Sequence, residues 1–117
     1  FDLAHILIVD DEEDVHAITR LSLRSLRYGD RRLAFLSATT GREAVEIMRR
    51  QPGIAVILLD VVMESERAGL EACRVIRNEL ENPFVRILLR TGQPGAAPEK
   101  KVIEEHDIDG YLAKGEL

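Results

Sequence analysis

Four short aliphatic runs, each ending at a polar residue, constrain this chain more than any other feature. His5-Ile6-Leu7-Ile8-Val9 stops at Asp10 and Asp11, and Ile54-Ala55-Val56-Ile57-Leu58-Leu59 stops at Asp60. Val85-Arg86-Ile87-Leu88-Leu89-Arg90 stops at Thr91, and Tyr111-Leu112-Ala113 stops at Lys114. A weaker run, Leu33-Ala34-Phe35-Leu36, reads as an edge strand. Near-continuous apolar runs of this length suit strands buried on both faces, as in a parallel sheet covered by helices.

Between the runs the period lengthens. Val15, Ile18, Ser22 and Leu26 share a helical face, as do Ala44, Ile47 and Met48, and then Leu70, Cys73, Ile76 and Leu80. Val102, Ile103 and His106 repeat the pattern more briefly, after Pro98 and Glu99 as a first helical turn. Turn residues separate the segments at Tyr28-Gly29-Asp30, Gln51-Pro52-Gly53, Asn82-Pro83 and Gly92-Gln93-Pro94-Gly95. The alternation predicts one α/β domain over residues 1–117, a doubly wound five-stranded parallel sheet of flavodoxin-like order 2-1-3-4-5. At 117 residues, 45% apolar and 32% charged, the composition fits one globular domain. No apolar run approaches the roughly 20 residues of a membrane helix. The single Cys73 excludes an intrachain disulfide, and a net charge of -5 argues against a nucleic-acid surface. The expected location is cytoplasmic.

In open α/β sheets, ligands bind beyond the carboxyl ends of the strands, where strand order reverses. That rule brings Asp10, Asp11 and Asp60 together, with Thr91 and Lys114 on adjoining strand ends. Two carboxylates about 4 Å apart repel by roughly 4 kcal/mol at an effective dielectric near 20, so such a cluster calls for a counter-cation. All-oxygen ligands favour magnesium. A carboxylate beside that metal can attack phosphorus and become an aspartyl phosphate.

The motifs ILIVDDEEDV, VILLDVVM, LLRTGQPG and GYLAK, in this order and at these separations, resemble a response-regulator receiver domain of two-component signalling. The resemblance spans nearly the whole chain. It implies that Asp60 is the phosphoacceptor, and that Asp10 and Asp11 hold Mg2+, with Asp11 the direct ligand. It gives the metal the backbone carbonyl of Val62 as well, and makes Asp60 itself part of the ligand set. It makes Thr91 the switch hydroxyl, Lys114 the phosphate-pairing lysine and Tyr111 the aromatic that turns inward on switching. The implied phosphodonor is a histidine kinase. The implied target is an output domain in cis or in trans, with a homodimer as one arrangement, and without direct contact to nucleic acid or membrane.

Two departures from the family pattern stand out. The stretch Met63-Glu64-Ser65-Glu66 lacks the family's proline, and Gly115 replaces the proline that usually follows the lysine. They keep open an alternative, a phosphorylation-independent pseudo-receiver acting as an interaction or dimerisation module. A magnesium phosphohydrolase is disfavoured because Val62 stands where such enzymes carry a second carboxylate, so no enzyme activity beyond autocatalytic phosphotransfer and dephosphorylation is expected. The stretch LRTGQPG followed by APE is similar to a receiver subgroup at the N-terminal side of larger signalling proteins, whose outputs include cyclic-dinucleotide enzymes or kinases. The chain therefore reads as an excerpt of a longer multidomain protein. Only Gly115, Glu116 and Leu117 follow Lys114, so the family's fifth helix is expected to be missing or truncated.

Overall fold

A computed structural model of the protein describes residues 3–60, 66–91 and 109–113, with backbone alone at 66–69, 91 and 110–113. β1 (Leu3–Val9) leads to α1 (Glu13–Leu23), a two-residue β2 (Arg27–Tyr28), β3 (Arg31–Ala38) and α2 (Gly41–Arg50). β4 (Val56–Asp60), α3 (Glu66–Arg74) with a π turn over Val75–Glu79, β5 (Arg86–Thr91) and β6 (Gly110–Ala113) complete the described elements. The sheet order is β2-β3-β1-β4-β5-β6. β1, β3, β4, β5 and β6 are all parallel and follow the expected 2-1-3-4-5 order. β2 is an addition: it pairs antiparallel with β3 through Arg27↔Arg32 and Tyr28↔Arg31. Its turn uses Gly29 at φ +64°, a left-handed conformation that favours glycine. The expected helix over residues 98–106 and the fifth helix lie outside the described residues.

Alternation along the strands divides the interior into two layers. Leu7, Val9, Ile57, Leu59, Ile87 and Leu89 pack with Ala44, Met48, Cys73 and Ile76 from α2 and the α3 segment. The opposite face carries Ile6, Ile8, Leu58, Asp60 and Arg90, with α1 against it. α2 starts at Thr40, whose Oγ1 accepts from Glu43 N at 3.0 Å while Glu43 Oε1 accepts from Thr39 N at 2.6 Å. This reciprocal pairing satisfies amide groups that a helix start leaves open. The α3 segment ends before Pro83, and the buried Asn82 fills that corner. Its Oδ1 accepts from the amides of Phe84 and Val85, and its Nδ2 donates to the Pro52 carbonyl at 3.1 Å.

At the amino end of β5, Asp109 accepts from Arg77 and Arg86 at 3.2 Å each, and from Ile87 N at 2.8 Å. The clamp fixes the start of β6 against β5. Its distance from the carboxyl ends of the strands leaves those ends to the acidic site.

Candidate functional site

The parallel register builds the site from two adjacent central strands. Val9 pairs with Leu59, so Asp10 and Asp60 sit side by side where β1 and β4 end. Both are buried, at 1% and 3% exposure. Strand ends can hold buried carboxylates only where their polar atoms find partners, and Asp10 is held on three sides. Its amide donates to the Ala38 carbonyl at 3.0 Å, its carbonyl accepts from His16 Nε2 at 2.7 Å, and its Oδ1 accepts from Glu12 N at 2.9 Å.

His16 is a positioning residue that periodicity reads only as one more side chain of α1. A carbonyl cannot donate, so Nε2 carries the proton and Nδ1 accepts from Ser37 Oγ at 3.0 Å. Arg20 donates to the same Ser37 oxygen. The chain Arg20, Ser37, His16, Asp10 thus ties α1 and β3 to the backbone of the acidic site.

Among the described residues, Asp10, Asp11 and Glu12 each offer one carboxylate oxygen, and these three atoms lie within 4.8 Å of one another. Asp60 does not belong to that group, although it lies beside Asp10 in the sheet. Asp11 and Glu12 are exposed and Asp10 is buried, so two ligand atoms face solvent over one fixed below. A donor set of carboxylate oxygens alone, partly open to water, fits magnesium, which keeps several waters and takes few protein ligands. Glu12 enters this set unanticipated: within the run Asp10-Asp11-Glu12-Glu13-Asp14, its spacing looks the same as that of its acidic neighbours.

Arg90 is the second unanticipated member. It closes an aliphatic run, yet it is 3% exposed and in register with Asp60. Partners in register project to the same side of a sheet, so its guanidinium lies beneath the acidic cluster. Nη1 donates to the buried Thr19 Oγ1 at 2.8 Å. Burial lowers the guanidinium pKa from its usual value, and the Asp10 and Asp60 carboxylates push it back up. An arginine stays charged under such competition.

Backbone positions are given for two further anticipated residues. Thr91 ends β5 opposite Ala113, and Tyr111 lies in β6 opposite Leu89. Thr91 therefore stands at the same rim as Asp60, one residue beyond the Asp60↔Arg90 pair. Val62 and Lys114 lie outside the described residues.

Residues 6–116 match the response regulator receiver domain family. The chain belongs to that family. Among curated relatives, this receiver is 50% identical over 112 residues to the 3'3'-cGAMP-specific phosphodiesterase 2 of Vibrio cholerae serotype O1, a match covering 96% of this chain. The receiver spans only 22% of that relative's length. Among solved structures it resembles the N-terminal domain of a response regulator/sensory box/GGDEF protein from Carboxydothermus hydrogenoformans, with a TM-score of 0.77 at 23% identity, covering 97% of this chain and 83% of the other. It also resembles a chain in the complex of the P1 domain of CheA3 with CheY6 from R. sphaeroides, with a TM-score of 0.68 at 25% identity, covering 95% and 81%. No helix among the described residues of this receiver is long and apolar enough to cross a membrane.

Proposed function

We propose that Asp60 accepts a phosphoryl group from a histidine kinase and that the resulting acyl phosphate switches an output domain. The observation that carries this reading is the burial of Asp60 beside Asp10, at the ends of adjacent central strands and next to an oxygen-only acidic group. In the transfer, an Asp60 carboxylate oxygen forms the new bond to phosphorus as the bond from phosphorus to the imidazole nitrogen breaks. The imidazole takes the electron pair and a proton from solvent.

Asp10 and Asp11, with Glu12, are the residues that would hold Mg2+; the resemblance adds Asp60 and the Val62 carbonyl. Bound there, the ion would supply charge neutralisation for the incoming phosphoryl oxygens. His16 keeps the Asp10 backbone in place. Thr91 donates to the phosphoryl oxygens, Lys114 pairs with them, and Tyr111 follows Thr91 inward, coupling the site to the β5–β6 side of the domain. The domain performs no turnover chemistry beyond forming and losing its own acyl phosphate, and it acts in the cytoplasm.

The output is a cyclic-dinucleotide phosphodiesterase region in the same polypeptide. The 50% identity to one segment of such a phosphodiesterase supports this assignment. The test is mass spectrometry after incubation with acetyl phosphate and Mg2+. The expected result is one added phosphoryl group on the wild-type protein and none on Asp60→Asn. An unmodified wild-type protein that still binds its output region would favour the interaction module instead.

A further inference from the structure

We propose that Arg90 is a built-in counter-cation of the acidic pocket and sets how tightly the pocket holds a divalent cation. The inference rests on the reading above, that Asp10 and its acidic neighbours hold such an ion. Three observations carry it. Arg90 sits in register with Asp60 on the neighbouring strand, so it reaches the pocket from the sheet side rather than from solvent. It is 3% exposed and moored by the Nη1 bond to Thr19 Oγ1 at 2.8 Å, so its charge cannot swing out to water as a surface lysine's would. Its Nε is buried with no hydrogen-bond partner among the described residues, so packing and that single bond place it rather than a full set of donors.

A fixed positive charge in this place acts in two directions. It offsets part of the electrostatic repulsion between the Asp10 and Asp60 carboxylates. It also repels an incoming dication through a buried region that solvent screens little. The pocket thus gives up metal affinity and gains a partly balanced charge when no metal is bound. An aliphatic residue, which the run Ile87-Leu88-Leu89 would otherwise continue, would leave the full charge of the carboxylates to the metal.

The experiment titrates Mn2+ into the wild-type protein and its variants and follows the free-ion signal by electron paramagnetic resonance. Removing the charge in Arg90→Met, or in Arg90→Gln, which can still donate to Thr19, is expected to tighten binding by about ten-fold. Arg90→Lys is expected to stay within about two-fold of wild type. Unchanged or weaker binding in cooperatively melting neutral variants overturns the inference, and so does an Arg90→Lys variant that binds as tightly as Arg90→Gln. A measurement on the wild type does not depend on any variant folding. The Arg90 Nε–H resonance, followed by NMR with Mg2+, should shift along the same saturation curve as the Asp10 and Asp11 amides. A stationary Nε–H resonance while those amides shift overturns the inference and leaves the metal site standing. A wild-type protein that binds neither ion overturns both.

Discussion

Arg90 Nη1 lies 2.8 Å from Thr19 Oγ1, joining the strand that ends at Thr91 to the middle of α1 across 71 residues of sequence. Both groups are buried, so removing the acceptor strands a charged donor. Thr19→Val is expected to lower stability by about 1–3 kcal/mol, read as a lower midpoint in urea at unchanged slope. Thr19→Ser should recover most of the loss. A Val variant as stable as wild type would show that the bond contributes nothing.

His16 makes a second prediction. Its Nε2–H tautomer is required by the bond to the Asp10 carbonyl, and two-dimensional NMR of the ring nitrogens should find that form in the folded protein. His16→Ala should cost about 2–3 kcal/mol by leaving a buried carbonyl and the Ser37 hydroxyl without this partner. Phosphoryl incorporation at Asp60 should slow as well, because the Asp10 backbone loses one of its fixed partners. Unaltered kinetics alongside the stability loss would reduce His16 to a packing role.

Cys73 lies in the core, and burial pushes its thiol up to about 12 from 9.0, with nearby Arg77 pulling the other way. At pH 8 the folded protein should then hold roughly three orders of magnitude less thiolate than the unfolded chain. Labelling by a disulfide reagent should follow global unfolding and stay negligible in native buffer. The linkage has a definite sign. The folded pKa is the higher one, so the contribution of the neutral thiol is complete below pH 9 and is lost as pH climbs toward 12. Rapid native labelling at pH 8 would contradict the burial.

The acidic group gives a fourth prediction. Asp11→Asn should weaken Mn2+ binding by about ten-fold or more, and Glu12→Gln by a few-fold, since a removed carboxylate takes away both a ligand and a charge. Equal affinities in both variants and wild type would place the metal elsewhere.

Much of the framework is legible because burial on two faces leaves a plain mark. The runs ending at Asp10, Asp60, Thr91 and Lys114 map onto β1, β4, β5 and β6, and Leu33–Leu36 lies inside the longer β3. β2 left no mark, because two residues carry no period and Tyr28-Gly29-Asp30 reads as a plain turn. The π turn was equally hidden. Cys73 and Ile76 are buried as a regular helix would bury them, while Leu80 N bonding to Val75 O widens the backbone between. At the site, Asp10 and Asp60 followed from the strand-end rule. Arg90 and His16 did not, since their roles depend on Thr19, Ser37 and a backbone carbonyl brought near only by the finished sheet. A charged side chain at a strand end ordinarily marks the start of solvent, and here it marks the floor of the pocket.

β1 lies between β3 and β4, and both neighbours come later in the chain. On the ribosome its exposed apolar edges must therefore wait until Asp60 has emerged before both sides are paired. Among the described residues, Glu12, His16 and Ala38, whose hydrogen bonds hold Asp10, are all synthesised before Asp60 and Arg90. Nascent chains cut just after Ala38 should hold β1 and β3 as a sticky, half-covered pair that recruits chaperones, and chains extended past Thr91 should be released from them.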